Sequence, residues 1–118
     1  MKRIPMLLVF AILLAAYSAP VIAAQASPQQ IVIQAKRFAF APGEITLKKG
    51  QPVILVLKSV DVAHGLRFRD LDVSIKVRAG GTAEVQFTPT KTGDFVGHCS
   101  VFCGSGHGSM TLKLHVVD

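Results

Sequence analysis

Cysteine is scarce in this 118-residue chain: there are two, Cys99 and Cys103. A framework of several disulfides is therefore excluded. Acidic residues are few as well, seven against 13 lysines and arginines. Asp70 and Asp72 stand two apart in a stretch that reads as a solvated turn, not as a paired-carboxylate acid–base site. There is no Ser-His-Asp arrangement and no glycine motif for phosphate. Beyond Ser27 no segment sustains a helical apolar period of useful length. Internal repeats, linkers and low-complexity tracts are missing too. An enzyme acting alone is not expected from such a chain.

The first quarter is set apart from the rest. Met1-Lys2-Arg3 is a short positive start, and Ile4 to Ala24 is an uncharged apolar run. Ala24-Gln25-Ala26 fits a small-residue cleavage site. This is the three-part pattern of a secretory signal peptide over residues 1–26. Uncleaved, residues 4–24 would be a membrane tether, since about 20 apolar residues span a bilayer. Either way the chain is expected to be exported, to a periplasm or to the outer face of the cytoplasmic membrane. Residues 27–118 then form one small domain. Without Lys2 and Arg3, 11 basic residues face seven acids, a charge of +4. That modest excess suits weak docking to an acidic partner or an anionic surface. The charges are scattered and no nucleic-acid motif occurs, so nucleic acid is not an expected partner.

After Ser27 short alternating segments follow one another between turn residues. Ile31 and Ile33 alternate with polar neighbours, Pro42-Gly43 turns the chain, and Ile45 and Leu47 alternate again. Further segments are Val53 to Leu57, Val73 to Val77, Ala83 to Phe87, Phe95-Val96 and Leu112 to Val117. Period-two alternation with turns every 8–12 residues predicts an all-β sandwich of about seven or eight strands.

The densest chemistry lies near the C-terminus, in Cys99-Ser-Val-Phe-Cys103-Gly-Ser-Gly-His107-Gly-Ser-Met110. Thiolate, imidazole and thioether together suit copper, because soft sulfur ligands favour Cu(I) and imidazole accepts either oxidation state. Zinc would take the thiolates and imidazole but has little use for a thioether. A single disulfide is the alternative for two cysteines in an exported protein, and it leaves His107 and Met110 unexplained. Gly93 to His98 reads as a strand leading into the cluster, and Thr111 to Val117 as the strand leaving it. The donors therefore sit on a glycine-rich loop held by strands at both ends. His64, in Asp61-Val-Ala-His64-Gly-Leu, is the candidate for a further donor. His98 would point away from Cys99 by strand alternation, and His115 sits on a polar face. Lys48-Lys49 reads as a charged turn. Arg67 and Arg69 read as ordinary surface charge, with docking of an acidic redox partner as the alternative.

These residues resemble the copper-binding domain of cytochrome c oxidase subunit II. The likeness runs from Ile31 to Val117 through Phe38-Ala-Phe40-x-Pro42, Asp61-Val-Ala-His64 and the C-x3-C-x3-H-x2-M loop. The resemblance implies a single cupredoxin-like Greek-key sandwich, behind an N-terminal signal or anchor helix, carrying a dinuclear CuA-type centre of two copper ions for electron transfer. Cys99 and Cys103 would bridge the coppers, and His64 and His107 would cap one each. Met110 would be a weak ligand to one copper, and the main-chain carbonyl of Val101 to the other. Phe102 and Leu66 would keep water away. Partners would be a redox donor or acceptor, or a copper-assembly protein.

The chain departs from that family in three ways. Val101 stands where a glutamate usually helps hold magnesium. There is no tryptophan to receive electrons from cytochrome c. The two-helix membrane hairpin is missing. A stand-alone periplasmic form is the expectation. Two alternatives keep the cluster but change its use: a mononuclear blue-copper site of His64, Cys103, His107 and Met110, and a periplasmic copper-delivery protein without redox turnover.

Overall fold

Alternating burial along the strands builds this molecule. In β3 (Glu44–Lys48) only Ile45 and Leu47 are buried, and in β9 (Thr111–Val117) only Leu112, Leu114 and Val116. The strands β1 (Gln29–Lys36) and β6 (Val73–Val77) bury Ile33, Ala35, Val73, Ile75 and Val77 in the same way. A period of two puts one face of each strand inside and the other in water. β4 (Val53–Ser59) departs from this, burying Val53, Leu55, Val56, Leu57 and Ser59. It lies between β1 and β7 (Thr82–Phe87), with neighbours on both edges.

The computed structural model describes residues 15–20 and 27–118. The expected leader over 1–26 lies outside the described residues except for residues 15–20, which have no regular secondary structure. Among the described residues no helix is long and apolar enough to cross a membrane.

The strands form two sheets, in the orders β2-β1-β4-β7 and β3-β9-β8-β5-β6. Their apolar faces meet in one core containing Ile33, Leu55, Leu57, Leu66, Phe68, Leu112 and Leu114. The chain changes sheet repeatedly, and this leaves two parallel pairs, β1 with β4 and β3 with β9. The all-β sandwich read from the sequence is present, with nine strands among the described residues. The two added to the seven alternating segments are β2 (Ala39–Ala41) and β5 (His64–Phe68). β2 is too short to alternate visibly, and β5 opens with three buried residues, His64, Gly65 and Leu66.

Two features place the ligand loop. β8 (Gly93–His98) and β9 are antiparallel, and His98 lies opposite Thr111, so residues 99–110 close one end of the sandwich. On the other side of β8, Arg67 of β5 lies opposite His98. β5 can sit this close because residue 97 is glycine. A Cβ there would meet the Phe68 ring at 2.7 Å and Leu66 at 2.8 Å.

Candidate metal centre

The loop is tied at its mouth by the Cys99 amide, which donates to the Met110 carbonyl at 3.0 Å. Inside it, the amides of His107 and Met110 donate to the carbonyls of Gly104 and His107, forming the short 3-10 turn His107–Ser109. The Ser100 amide donates to the Gly65 carbonyl at 3.3 Å, fastening the loop to β5.

These ties turn the cysteines inward. Cys99 and Cys103 are free and buried, with Sγ atoms 3.6 Å apart. That separation is far beyond the roughly 2.05 Å of a disulfide. It still lets both sulfurs reach one ion at about 2.3 Å. Each has an imidazole nitrogen beside it: His64 Nδ1 lies 3.9 Å from Cys99 Sγ, and His107 Nδ1 lies 3.7 Å from Cys103 Sγ. The thioether of Met110, fully buried, lies 3.7 Å from Cys103 Sγ. The Val101 carbonyl accepts from the Cys99 thiol at 3.1 Å. All six residues singled out in the sequence therefore converge on one place. The ligand atoms of His64, Cys99 and Cys103 lie within 4.8 Å of one another. This cluster of soft sulfur and imidazole fits a copper ion.

His64 is held for such a role. It is fully buried, and its Nε2 lies 2.7 Å from Asp61 Oδ1. Asp61 also accepts from the amides of Arg37 at 2.8 Å and Val62 at 2.7 Å. The Arg37 amide, ahead of the contacts to His64 and Val62, holds the Asp61 carboxyl down at about 2. An ionised carboxylate only accepts, so Nε2 carries the proton and Nδ1 offers its lone pair toward Cys99. The Ser59 hydroxyl steadies the turn, donating to the Val62 carbonyl and accepting from the Asp61 amide.

Burial acts on Cys103 in the opposite sense. Loss of water, reinforced by the Cys99 thiol, pushes the Cys103 thiol up to about 11 in the metal-free protein. The site therefore stores a proton that a cation must displace.

The residues around Phe38 escaped the sequence reading. The Arg37 Nε donates to the Cys103 carbonyl at 2.9 Å. The Phe38 ring lies against Gly104 and Gly106, where a Cβ would approach it to 2.8 Å and 2.4 Å. Gly104 also has φ of +137°, a conformation that favours glycine. Arg37 and Phe38 thus clamp the loop from outside. The quoted Phe38-Ala-Phe40 motif was the only signal of this, and nothing local linked it to glycines over 60 positions away.

Two other expectations can be placed. His98 is exposed, and His115 bonds Asp94 at 2.6 Å on the outer face, so neither joins the cluster. Leu66 is fully buried, as a water-excluding residue should be. Phe102 is not a shield. It is 77% exposed at the loop tip, with its ring 5.7 Å from that of His107. Its neighbours Val101 and Cys103 face inward on either side, and this turns Phe102 outward.

Comparison with known proteins agrees with this picture. The chain is 28% identical over 88 residues to cytochrome c oxidase subunit 2 of Thermus thermophilus, covering 73% of this chain and 65% of that one. It is 37% identical over 72 residues to a probable cytochrome c oxidase subunit 2 of Streptomyces avermitilis, covering 61% of this chain and 23% of that one. The chain thus spans less than two thirds of either protein. The periplasmic domain of cytochrome oxidase subunit II from Bradyrhizobium japonicum has the same fold, with a TM-score of 0.70 at 20% identity over 80% of this chain and 88% of that one. A family model described as a cupredoxin-like domain matches residues 5–112, and the chain belongs to that family as a relative of cytochrome c oxidase subunit II.

Proposed function

We propose that this protein is an electron carrier holding two copper ions in a CuA-type centre. The observation that carries this reading is the pair of buried free thiols 3.6 Å apart, each with its own imidazole nitrogen. In this reading Cys99, Cys103, His64 and His107 would hold the copper, with Met110 and the Val101 carbonyl as weaker donors. Bound copper supplies one-electron redox chemistry. The chain supplies a site that need not move: β5 holds His64, the β8–β9 ladder holds both ends of the loop, and Arg37 and Phe38 hold its outside. A rigid donor set keeps the reorganisation on electron transfer small. Leu66 and Met110 keep water from the inner side, while His107 and Phe102 give a short route to the surface.

Residues 1–26 as an export leader, residues 27–118 as the working domain, and a periplasmic place of work belong to the same proposal. So does a partner that is a redox protein or one that assembles copper sites. A mononuclear blue site of Cys103, His107, Met110 and His64 is the second reading. It is favoured by His107 and Met110 both lying beside Cys103, but it leaves a buried thiol spare 3.6 Å away.

The test is to load the reduced protein with copper and record stoichiometry, visible absorption and electron paramagnetic resonance together. Two coppers, a purple colour and one spin shared by two nuclei are expected. Cys99→Ser should then reduce the uptake to one copper. A single blue copper in the unaltered chain would establish the second reading instead. Colourless Cu(I) that resists oxidation would point to copper delivery.

A further inference from the structure

Beside the metal centre the surface has a solvent-open hollow lined by Arg67, Arg69, His98, Ser100 and His107, with Cys99 at its floor. Arg67 and His98 lie opposite each other on β5 and β8 and are exposed. Their side chains therefore share the outer face of the five-stranded sheet. Arg69 continues that face, and Lys76, on the same outer face of β6, lies opposite Gly65. Among the described residues, none of those lining the hollow is acidic. The Asp61 carboxylate is occupied by Arg37, Val62 and His64. Asp70 and Asp72 lie in the turn beyond Arg69, outside the hollow. Toward the other end of the same face the sign changes: Asp94 and Glu44 cluster around His115, and Glu44 lies 4.0 Å from Lys113. Acids thus stand between the cationic hollow at the metal end and Lys48, which lies opposite Val117 at the far end of the face.

We propose that this hollow is the docking surface for a carboxylate-rich redox partner, whose acidic side chains pair with Arg67 and Arg69 directly over Cys99 and His107. Arginine suits the task, since its planar fork meets a carboxylate through two parallel hydrogen bonds. Such a surface also steers approach and fixes which end of the molecule meets the partner. That the partner exchanges electrons rests on the function proposed above; its negative charge rests on the hollow alone.

The test uses the full chain, isotope-labelled, titrated with a hexaglutamate peptide and followed by NMR. A parallel measurement follows electron exchange of the copper-loaded chain with hexacyanoferrate. Peptide shifts are expected at Arg67, Arg69, His98 and Ser100. R67E/R69E should weaken both binding and exchange by about tenfold, with R67Q/R69Q between it and the parent. K48E/K49E makes the same change in charge at the far end of β9, seven strand residues or roughly 20 Å away, and should change either by less than about twofold. Equal losses in the two charge-reversed variants, or peptide shifts elsewhere, would overturn the proposal by reducing it to net charge. Binding to vesicles one-third phosphatidylserine that depends on the same arginines, without peptide shifts, would assign the surface to a membrane and overturn it too. Peptide binding that persists in a chain showing no copper redox chemistry would uphold the hollow and sink the electron-transfer reading.

Discussion

His64 Nε2 and Asp61 Oδ1 are 2.7 Å apart, and this contact determines which nitrogen of a fully buried histidine is left to face the cysteines. It acts at a distance on the site, because Asp61 touches no sulfur and offers none of the clustered ligand atoms. A carboxylate behind a ligating imidazole fixes the ring and raises its basicity.

Asp61→Asn keeps the shape but removes the charge. Copper affinity is expected to fall by about 10–100-fold, measured by competition with a chelator of known affinity. Acid stability should change with it. Asp61 titrates at about 2 in the fold against an ordinary value of 3.8. Its stabilising contribution is therefore present above pH 3.8 and disappears as the pH falls through 2. Acid titration of the metal-free variant should show a shallower slope in that window than the parent. An unchanged slope would mean that the Arg37 amide, with His64 and Val62, does not hold the Asp61 carboxylate in solution.

Cys103 gives the alkaline counterpart. Its thiol is raised from 9.0 to about 11 by burial and by Cys99, so the reduced fold binds that proton more tightly than the unfolded chain does. The associated stability is complete below pH 9 and is lost as the pH rises through 11. Since the thiolate is the nucleophile, alkylation of Cys103 by iodoacetamide should quicken about tenfold per pH unit through this range. Peptide mapping by mass spectrometry reads it residue by residue. Copper affinity of the reduced chain should strengthen with pH below that point, because binding expels the proton.

Gly106→Ala would drive a Cβ into the Phe38 ring, to 2.4 Å from Cγ. A loss of about 1–3 kcal/mol is expected from such overpacking, read by chemical denaturation of the metal-free protein. Phe38→Leu in the same chain should recover part of it, by removing the flat ring that the methyl meets. Failure of that recovery would show that the loop does not rest on Phe38.

Gly97→Ala tests the other close approach. Its Cβ would lie 2.7 Å from Phe68 and 2.8 Å from Leu66, both deeply buried. Here the loss should again be about 1–3 kcal/mol, and it should spread into the site, since β5 carries His64. Copper-loaded Gly97→Ala is expected to show a broadened visible band, where a surface substitution such as Lys113→Ala leaves it unchanged.

The sequence made the sandwich legible wherever a strand had one wet face: Ile45 and Leu47, or Leu112, Leu114 and Val116, announce themselves by alternation. It was less informative at β5, where His64, Gly65 and Leu66 are buried in succession because Ser100 and Val101 pack over Gly65. The donors were legible because three of their kinds fall within twelve positions, and only spatial closure could bring His64 to them. Phe102 was misjudged because a large apolar side chain beside a metal loop suggests shielding, whereas the inward turn of its neighbours forces it out. The Arg37–Phe38 clamp left no trace beyond the Phe38-Ala-Phe40 motif, because packing between segments far apart in the chain leaves no periodic signal.

His64 and Cys99 are 35 positions apart, so an ion held by both would knot together two stretches of chain otherwise joined by strand pairing, the Ser100–Gly65 hydrogen bond and packing over Gly65. Such a cross-link belongs to the folded state alone, and release of the ion must accompany unfolding. Its influence would be greatest at the end of the sandwich where β5 meets the loop. Opening of the loaded protein should then begin at the opposite end, where the Lys49 amide caps the Val117 carbonyl. The molecule would unzip toward its metal rather than from it.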